Sequence, residues 1–442
     1  MDFFDREEEI EQLRRIREMA ASSARFTVLT GRRRVGKTEL IREAYKECPY
    51  IYFYVSKKTQ VALCEEFAVI AEKCLGRSIP GKISRFSDIF RFILEESILR
   101  PLTVVIDEFQ EFQKVDDAIF SEMARDWDEF HRRAKINLIV SGSVNRLMKK
   151  ILEDREAPLY GRNTGKIHLE PFRPSVLKAI LSRYHSAYTP DDLLALWTFT
   201  GGVARYVELL IDAKAYTKEK MIREIVRADS SYFDEGRIAL TQEFGPEAAT
   251  YFTILSSIAN GKTTRDQIES MTGCAISGFL TKLERDYGFI SKIQPLFERS
   301  STKNCKYKIE DSFFRFWFRF VFKYAYLIEV KMYDELRDII RRDYEVFSGH
   351  ALEALFRQIF LERHAYSRMG GWWDRKGENE IDLICENEFK NELHVYEIKR
   401  DARRFNRETL AKKAEFFLTK NPEKRERKLA LEFLSLAELN QA

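Results

Sequence analysis

The 442-residue chain has little of what staples small domains or cages metals: six cysteines and six histidines. Cys48, Cys64, Cys74, Cys274, Cys305 and Cys385 are scattered, with no C-x-x-C pair and no His-rich segment beside them. That spacing is poor material for a disulfide scaffold or a structural zinc site, and it suits the inside of a cell. Long apolar runs are missing too. The most hydrophobic stretch, Phe313 to Val330, is interrupted by Arg315, Arg319, Lys323 and Glu329, whereas a membrane span needs ~20 largely uncharged residues. The opening residues, Met1-Asp2-Phe3-Phe4-Asp5-Arg6-Glu7-Glu8-Glu9, are acidic and amphipathic, unlike a signal peptide. A soluble, cytoplasmic protein without a membrane partner is expected. Charge of one sign is also scarce. The 74 Lys+Arg against 70 Asp+Glu leave a net +4, which argues against a wholly basic nucleic-acid coat while permitting local basic faces.

What is present is ample apolar material. At 45% hydrophobic and 33% charged, the composition excludes global disorder. The length predicts two to four domains at ~100–200 residues each. β-rich runs occur at Phe26–Thr30, Tyr50–Val55, Leu102–Ile106, Ile136–Val140 and Lys166–Leu169. Helical patterns lie between them at Glu39–Glu47, Val61–Cys74 and Phe86–Leu99. Such alternation predicts an α/β fold with a parallel sheet and helices on both faces. Beyond Pro171-Phe172-Arg173-Pro174 the strand signal stops and short helices follow. The expected domains are residues 1–172, 173–243 (helical), 244–335 (helical with a hairpin) and 336–442 (mixed).

The strongest chemical signal is Gly31-Arg32-Arg33-Arg34-Val35-Gly36-Lys37-Thr38, between a strand and a helix. Glycines let successive backbone N–H groups curl around phosphate oxygens. The helix start adds its dipole, Lys37 a point charge, and Thr38 a hydroxyl for Mg²⁺. Downstream, Leu102-Thr103-Val104-Val105-Ile106-Asp107-Glu108 is an apolar strand ending in two acids. Asp107 can hold the Mg²⁺ water shell, and Glu108 can polarise the attacking water. ATP and Mg²⁺ are therefore the expected cofactors. Gly31, Arg34, Val35, Gly36, Lys37, Thr38 and Glu39 form the expected nucleotide-binding set, with Thr38 and Asp107 as metal ligands. Ser141-Gly142-Ser143 closes another strand and is either a γ-phosphate sensor or a turn. Leu159-Tyr160-Gly161-Arg162 and Gly201-Gly202-Val203-Ala204-Arg205-Tyr206 each offer an arginine suited to oxyanions.

Together with Phe4-Asp5-Arg6-Glu7, these motifs resemble the archaeal-type P-loop ATPases of the AAA+/STAND-like group, which has additional strands and a catalytic glutamate. The resemblance covers roughly residues 1–210. It implies a nucleotide-binding αβ core followed by a helical lid. It further implies that Arg6 lies near the base, that Arg162 is an arginine finger or sensor, and that Arg205 acts from the lid. Ala204 departs from the proline usual before that arginine.

Residues 246–309 outline a winged helix-turn-helix: helices Glu247–Ala259, Thr264–Met271 and Ala275–Tyr287, then strands Gly288–Ile293 and Cys305–Ile309. Ser277, Thr281 and Lys282 would be exposed on the recognition helix, and Arg299, Lys303 and Lys306 would decorate the wing, making DNA an expected partner. The module can also serve as an intramolecular dock. After it, Asp311–Phe320 reads as an aromatic helix that packs into an interdomain core.

Near the carboxyl end, Glu380–Cys385 and Leu393–Lys399 read as a hairpin. Residues i and i+2 share a strand face, so Glu397 and Lys399 point the same way as Leu393 and Val395. Acids on an apolar face are costly unless paired or metal-bound. Asp382 could meet Glu397 across a divalent ion, with Lys399 orienting or deprotonating water. This Asp…Glu-x-Lys pattern resembles the PD-(D/E)xK restriction-endonuclease-like superfamily, with Glu353 as the preceding helical acid. The expected metal ligands are Asp382, Glu397 and Glu353, and the expected catalytic residues Asp382, Glu397 and Lys399.

The expectation is an ATPase acting on DNA, with a second, nuclease-like site and a second copy of the chain as a further partner. Two rivals stand beside it: a nucleotide-switched regulator with an inert nuclease fold, and a protein-remodelling ATPase without a nucleic-acid partner.

Overall fold

The computed structural model describes residues 1–81, 83–143, 145–298 and 304–440. The chain divides into two compact units, Asp5–Glu170 and Pro171–Ala442, the latter joined by Met1–Phe4.

The first unit is built on a five-stranded parallel sheet: β1 (Arg25–Thr30), β2 (Ile51–Tyr54), β3 (Leu102–Asp107), β4 (Ile136–Gly142) and β5 (Gly165–His168). Their spatial order is β2-β3-β4-β1-β5. One strand, β4, thus lies between the strand that precedes the glycine loop and the strand that ends in Asp107. These strands read as continuous apolar runs because both faces are covered. Phe26, Val28, Val104, Ile106, Leu138 and Val140 enter one core with Phe53, Phe67, Phe86 and Trp127. Leu29, Val105 and Ile139 alternate to the other face, where they meet Leu13, Leu40, Ile41 and Tyr45.

The second unit opens with five helices: Pro174–Tyr184, Pro190–Thr200, Ala204–Asp212, Lys218–Ile225 and Ser231–Phe244. Then come the helices Ala248–Ala259 and Arg265–Thr272, and a helical stretch from Ser277 that becomes a π-turn over Lys282–Asp286. A hairpin, β6 (Ile290–Ile293) and β7 (Lys306–Ile309), follows. All of these share one hydrophobic core with the aromatic segment Ser312–Phe322. Trp317 is its anchor. It is 1% exposed, and its indole N–H donates to the Phe233 carbonyl at 3.1 Å. The ring lies so close to Gly236 that a Cβ there would sit 2.4 Å from Cδ2.

A 30-residue helix, Tyr333–Glu362, leads into a second sheet made of β8 (Arg368–Trp373), β9 (Glu380–Asn387), β10 (Glu392–Ile398) and β11 (Lys428–Leu434). Strands β8, β9 and β10 are antiparallel, and β11 returns parallel to β10 after the helix Arg407–Lys420. The hairpin loop docks onto this sheet: the Leu296 N–H donates to the Gly371 carbonyl at 2.9 Å, and the Trp373 indole donates to Asn304 at 2.9 Å. Past the end of β10, Arg400 reaches back to the first helices of the unit. It donates to Asp191 Oδ1 at 2.7 Å and to Ser348 Oγ at 2.8 Å, with its guanidinium over the Tyr344 ring. No helix among the described residues is long and apolar enough to cross a membrane.

Candidate functional site

The loop 31–36 joins β1 to the helix Lys37–Tyr45 at the carboxyl edge of the parallel sheet. Gly31 is forced by packing, since a Cβ there would sit 2.5 Å from the Leu169 carbonyl oxygen. Gly36, with φ 102°, caps the helix, and Val35 is buried as the loop's anchor. The Lys37 ammonium turns into the loop and donates to the carbonyls of Gly31 (2.9 Å) and Arg32 (3.2 Å). Burial pushes its pKa down to about 8, against the opposing pull of Glu108 and Asp107. A polyanion in the loop would supply the compensating charge. Arg34 and Glu39 are exposed at the loop and the first helical turn.

Asp107, at the tip of β3, is held from three sides. The Thr38 hydroxyl donates to Oδ2 at 2.9 Å, the Tyr52 hydroxyl donates to the same oxygen at 2.7 Å, and the Glu108 N–H donates to Oδ1 at 3.0 Å. The Thr38–Asp107 pairing puts both groups that would share a Mg²⁺ water shell within one hydrogen bond of each other, as that ion's oxygen chemistry requires. Tyr52 was not singled out from the sequence; its parallel register beside β3 is the only signal that could have found it. Burial, then the bond to Asp107, holds its phenol well above the usual range.

Glu108 adopts a left-handed conformation with φ 53°, a strained choice for a non-glycine residue that costs about 1–3 kcal/mol. Its carboxylate accepts from Ser143 Oγ (3.1 Å) and from the Gln110 side-chain amide. Ser141 and Gly142 are part of β4 rather than a turn, and they deliver Ser143 to this acid. A Cβ on Gly142 would strike Gln110 Oε1 and Met148 Sδ, each at 2.5 Å. Gln110 is therefore a second side chain that sequence reading missed.

The expected arginines fare differently. Arg6 is buried, in left-handed conformation, and donates to the Glu170 carbonyl and to Glu9. This ties it to the strand end that packs on Gly31. Arg162 is not brought to the loop. Thr164 donates to the Phe26 carbonyl at 2.7 Å, so Arg162 lies at the amino edge of the sheet, ~16 Å of strand from Gly31 at about 3.3 Å per residue. There it pairs with Asp128. A sensor role on its own chain's nucleotide is therefore corrected. Arg205 belongs to the second unit and pairs with Glu208 at 2.7 Å on an exposed turn. The glycines before it serve the backbone: a Cβ on Gly202 would sit 2.3 Å from the Phe172 carbonyl oxygen.

In the second unit, β9 and β10 bring Asp382, Glu397 and Lys399 together. The Lys399 ammonium lies 3.0 Å from Asp382 Oδ2 and 3.6 Å from Glu397 Oε1, and the Ile398 N–H donates to Asp382 at 2.8 Å. Burial pulls the Lys399 pKa down, but Asp382, Glu397 and Glu353 together raise it. Glu397 is 8% exposed, and its Oε2 has no hydrogen-bond partner among the described residues. The expected three-carboxylate cage is not closed: among the described residues no three acidic, His or Cys side chains converge as metal ligands. Lys399 occupies the space between the two strand acids, and Glu353 stands back, 3.4 Å from His350. Lys306 is a further correction. It is not an open wing cation, since it pairs with Glu380 at 2.9 Å and covers the Trp373 ring. Ser277 and Thr281 are exposed as expected, and Lys282 pairs with Glu247 at 3.2 Å. Arg299 and Lys303 lie outside the described residues.

Comparison with known proteins agrees with the first site. Residues 3–210 match the family described as an ATPase domain predominantly from Archaea. The chain carries an ATPase domain. Residues 317–411 match a second family, described as archaeal and bacterial proteins of unknown function. An uncharacterized protein of Methanocaldococcus jannaschii is 28% identical over 406 residues, covering 90% of this chain and 87% of the relative. The ATPase fold is similar to that of the Walker-type ATPase of Pyrococcus abyssi (19% identity, TM-score 0.56, 72% of this chain and 96% of that one). It is also similar to that of the ORC2 protein of Aeropyrum pernix (16% identity, TM-score 0.50, 75% and 96%). The ATPase is thus a P-loop enzyme on an α/β core.

Proposed function

We propose that the protein uses Mg·ATP hydrolysis to control a metal-dependent nuclease acting on DNA. Lys37 and the loop N–H groups hold the phosphates, with Thr38 and Asp107 as the Mg²⁺ partners. Glu108 aligns the attacking water once Gln110 and Ser143 release it. The related Aeropyrum pernix ORC2 structure is described as ADPNP–ADP complexes, which supports nucleotide as the ligand here. Arg6 serves the base side of that nucleotide, Arg205 acts from the helices that follow, and Arg162 acts on a neighbouring copy's nucleotide.

The second half of the reading is carried by one observation, the buried, unpartnered Glu397 Oε2 beside the Asp382–Lys399 pair. An orphaned carboxylate oxygen in such a place is costly unless a cation completes it. A divalent ion between Asp382 and Glu397 fits the donor set, and it would free Lys399 to face a phosphodiester. Cleavage of duplex DNA with Mg²⁺ or Mn²⁺ tests this, comparing the unmodified protein with Asp382→Asn and Lys37→Ala. Activity should vanish in Asp382→Asn and change its nucleotide dependence in Lys37→Ala. Equal cutting by Asp382→Asn would remove the nuclease assignment.

The docked hairpin favours a specific second reading. With Lys306 committed to Glu380 and Trp373, the winged-helix module serves as an intramolecular dock for the second sheet, and DNA is engaged elsewhere.

A further inference from the structure

The two edges of the second sheet are finished differently. At one, β8 breaks its register with β9 between Gly370 and Trp372, and the hairpin loop lies against it. Besides the Leu296 bond to Gly371, a Cβ on Gly370 would come within 3.2 Å of Leu296 Cδ1. Irregular pairing and a covering loop are ordinary ways to keep a strand edge from meeting another chain. At the other edge β11 has neither. Its register with β10 runs unbroken from Glu392–Lys428 to Ile398–Leu434, and it contains no proline or glycine. Among the described residues no strand pairs with its outer side.

The Lys428 N–H donates to the Asn391 carbonyl at 2.9 Å, and the Leu434 carbonyl accepts from the Lys399 N–H at 3.0 Å. The even-numbered residues of β11 therefore turn their backbone groups toward β10. The alternation along a strand then points the N–H and C=O of Leu429, Leu431 and Phe433 away from the sheet. Their side chains are apolar as well. Leu429 is 42% exposed and Phe433 38%. Leu431 packs partly against the core that the sheet shares with the helix Arg407–Lys420, and Phe405 stacks on Phe433 at 4.4 Å. Open backbone groups under a row of exposed apolar side chains make a template for one more strand.

The charges on β11 select the partner. The strand carries only Lys428 and Glu432, with Ala430 midway between them. A two-fold axis through Ala430, perpendicular to the sheet, sets a second β11 antiparallel to the first. Lys428 of each copy then faces Glu432 of the other. Leu429 and Leu431 exchange backbone hydrogen bonds, while the charged residues fall at the closer, non-hydrogen-bonded positions. The neighbouring registers lose this match. Centred on Leu431, Lys428 faces Leu434 and Glu432 faces Ala430; centred on Leu429, Glu432 faces Glu426, a like charge. Glu432 lies 2.6 Å from His394 Nδ1, yet its side chain remains 43% exposed and open to a second partner.

We infer that β11 is a self-association edge. Two copies of the chain pair their β11 strands antiparallel about Ala430 and join two four-stranded sheets into one. The inference does not depend on the nuclease reading.

The test is sedimentation velocity of the full-length protein, without nucleotide, over a micromolar concentration series. The unmodified protein should pass from monomer to dimer. Leu429→Lys should weaken association by about tenfold or more, as a charge on an open edge does. Lys428→Glu and Glu432→Lys should each weaken it by about tenfold, because like charges then face each other at both crossings. Mixing these two variants in equal amounts should restore the dimer, since both crossings regain opposite signs. Far-UV circular dichroism of each variant reports that it is folded. A protein monomeric throughout the series would overturn the inference. So would a dimer that Leu429→Lys leaves unchanged, which puts the interface elsewhere, or a mixture of the two folded charge variants that fails to associate.

Discussion

The two candidate sites meet the same problem, buried acids near a lysine, in opposite ways. In the parallel-sheet unit the acids are satisfied by the protein itself. Asp107 accepts from Thr38, Tyr52 and a backbone N–H, and Glu108 from Ser143 and Gln110. Only Lys37 bears the cost, through its depressed pKa. In the second unit the lysine is content between two carboxylates, and the unmet demand falls on Glu397 Oε2. A site whose acids are held ready by their own chain needs an anion to switch on. A site with an orphaned acid oxygen needs a cation first. The same residue types thus predict different first ligands.

The sharpest way to break this comparison is Glu108→Gln. Nucleotide binding should persist, while the hydrolysis rate measured by phosphate release falls by about 10²–10⁴, the range for a lost general base. Retained turnover would assign the water to another group. Next in size is Gly236→Ala, which forces a methyl into Trp317 and should destabilise the second unit by about 1–3 kcal/mol. Calorimetry should show one transition lowered, with the nucleotide-stabilised transition unmoved.

A pH series separates the sites by sign. With Lys37 at about 8 when folded and about 10.4 when unfolded, the unfolded chain binds more protons in between. Stability of the empty ATPase unit should therefore rise with pH across that window. Nucleotide affinity should move the other way, falling above about pH 8 with proton uptake on binding, measurable by titration calorimetry in buffers of different ionisation enthalpy. Lys399, whose pKa is raised, should give no such trend over the same range. The smallest effect is expected from Tyr52→Phe. Removing one of three donors to Asp107 should cost about 1 kcal/mol, or roughly fivefold in kcat/KM for ATP.

The parallel sheet was readable from the sequence because its strands are short apolar runs bounded by helices. Its glycine loop and acid pair were readable because their chemistry is local in the chain. Asp382, Glu397 and Lys399 were likewise legible, through strand periodicity. Contacts between distant segments were not. Tyr52 reaches Asp107 only through parallel register, and Gln110 meets Glu108 only because the backbone turns left-handed. Arg162 looked like a phosphate ligand because arginine chemistry is general, whereas the edge of the sheet on which it falls depends on strand direction. Lys306 was misread for a related reason: a charged residue on a hairpin looks solvated until the sheet it docks on is known.

Arg400 gives the second site a mechanical link of its own. Lys399 and Arg400 are neighbours in the chain; one grips Asp382, and the other grips Asp191 on the helix Pro190–Thr200 and Ser348 on the long helix. A single peptide unit therefore joins the acid-holding ammonium to the helical bundle that follows the ATPase unit. The hold on the acid and the hold on the helices are therefore one residue apart, so loosening Arg400 would loosen the backbone from which Lys399 reaches Asp382.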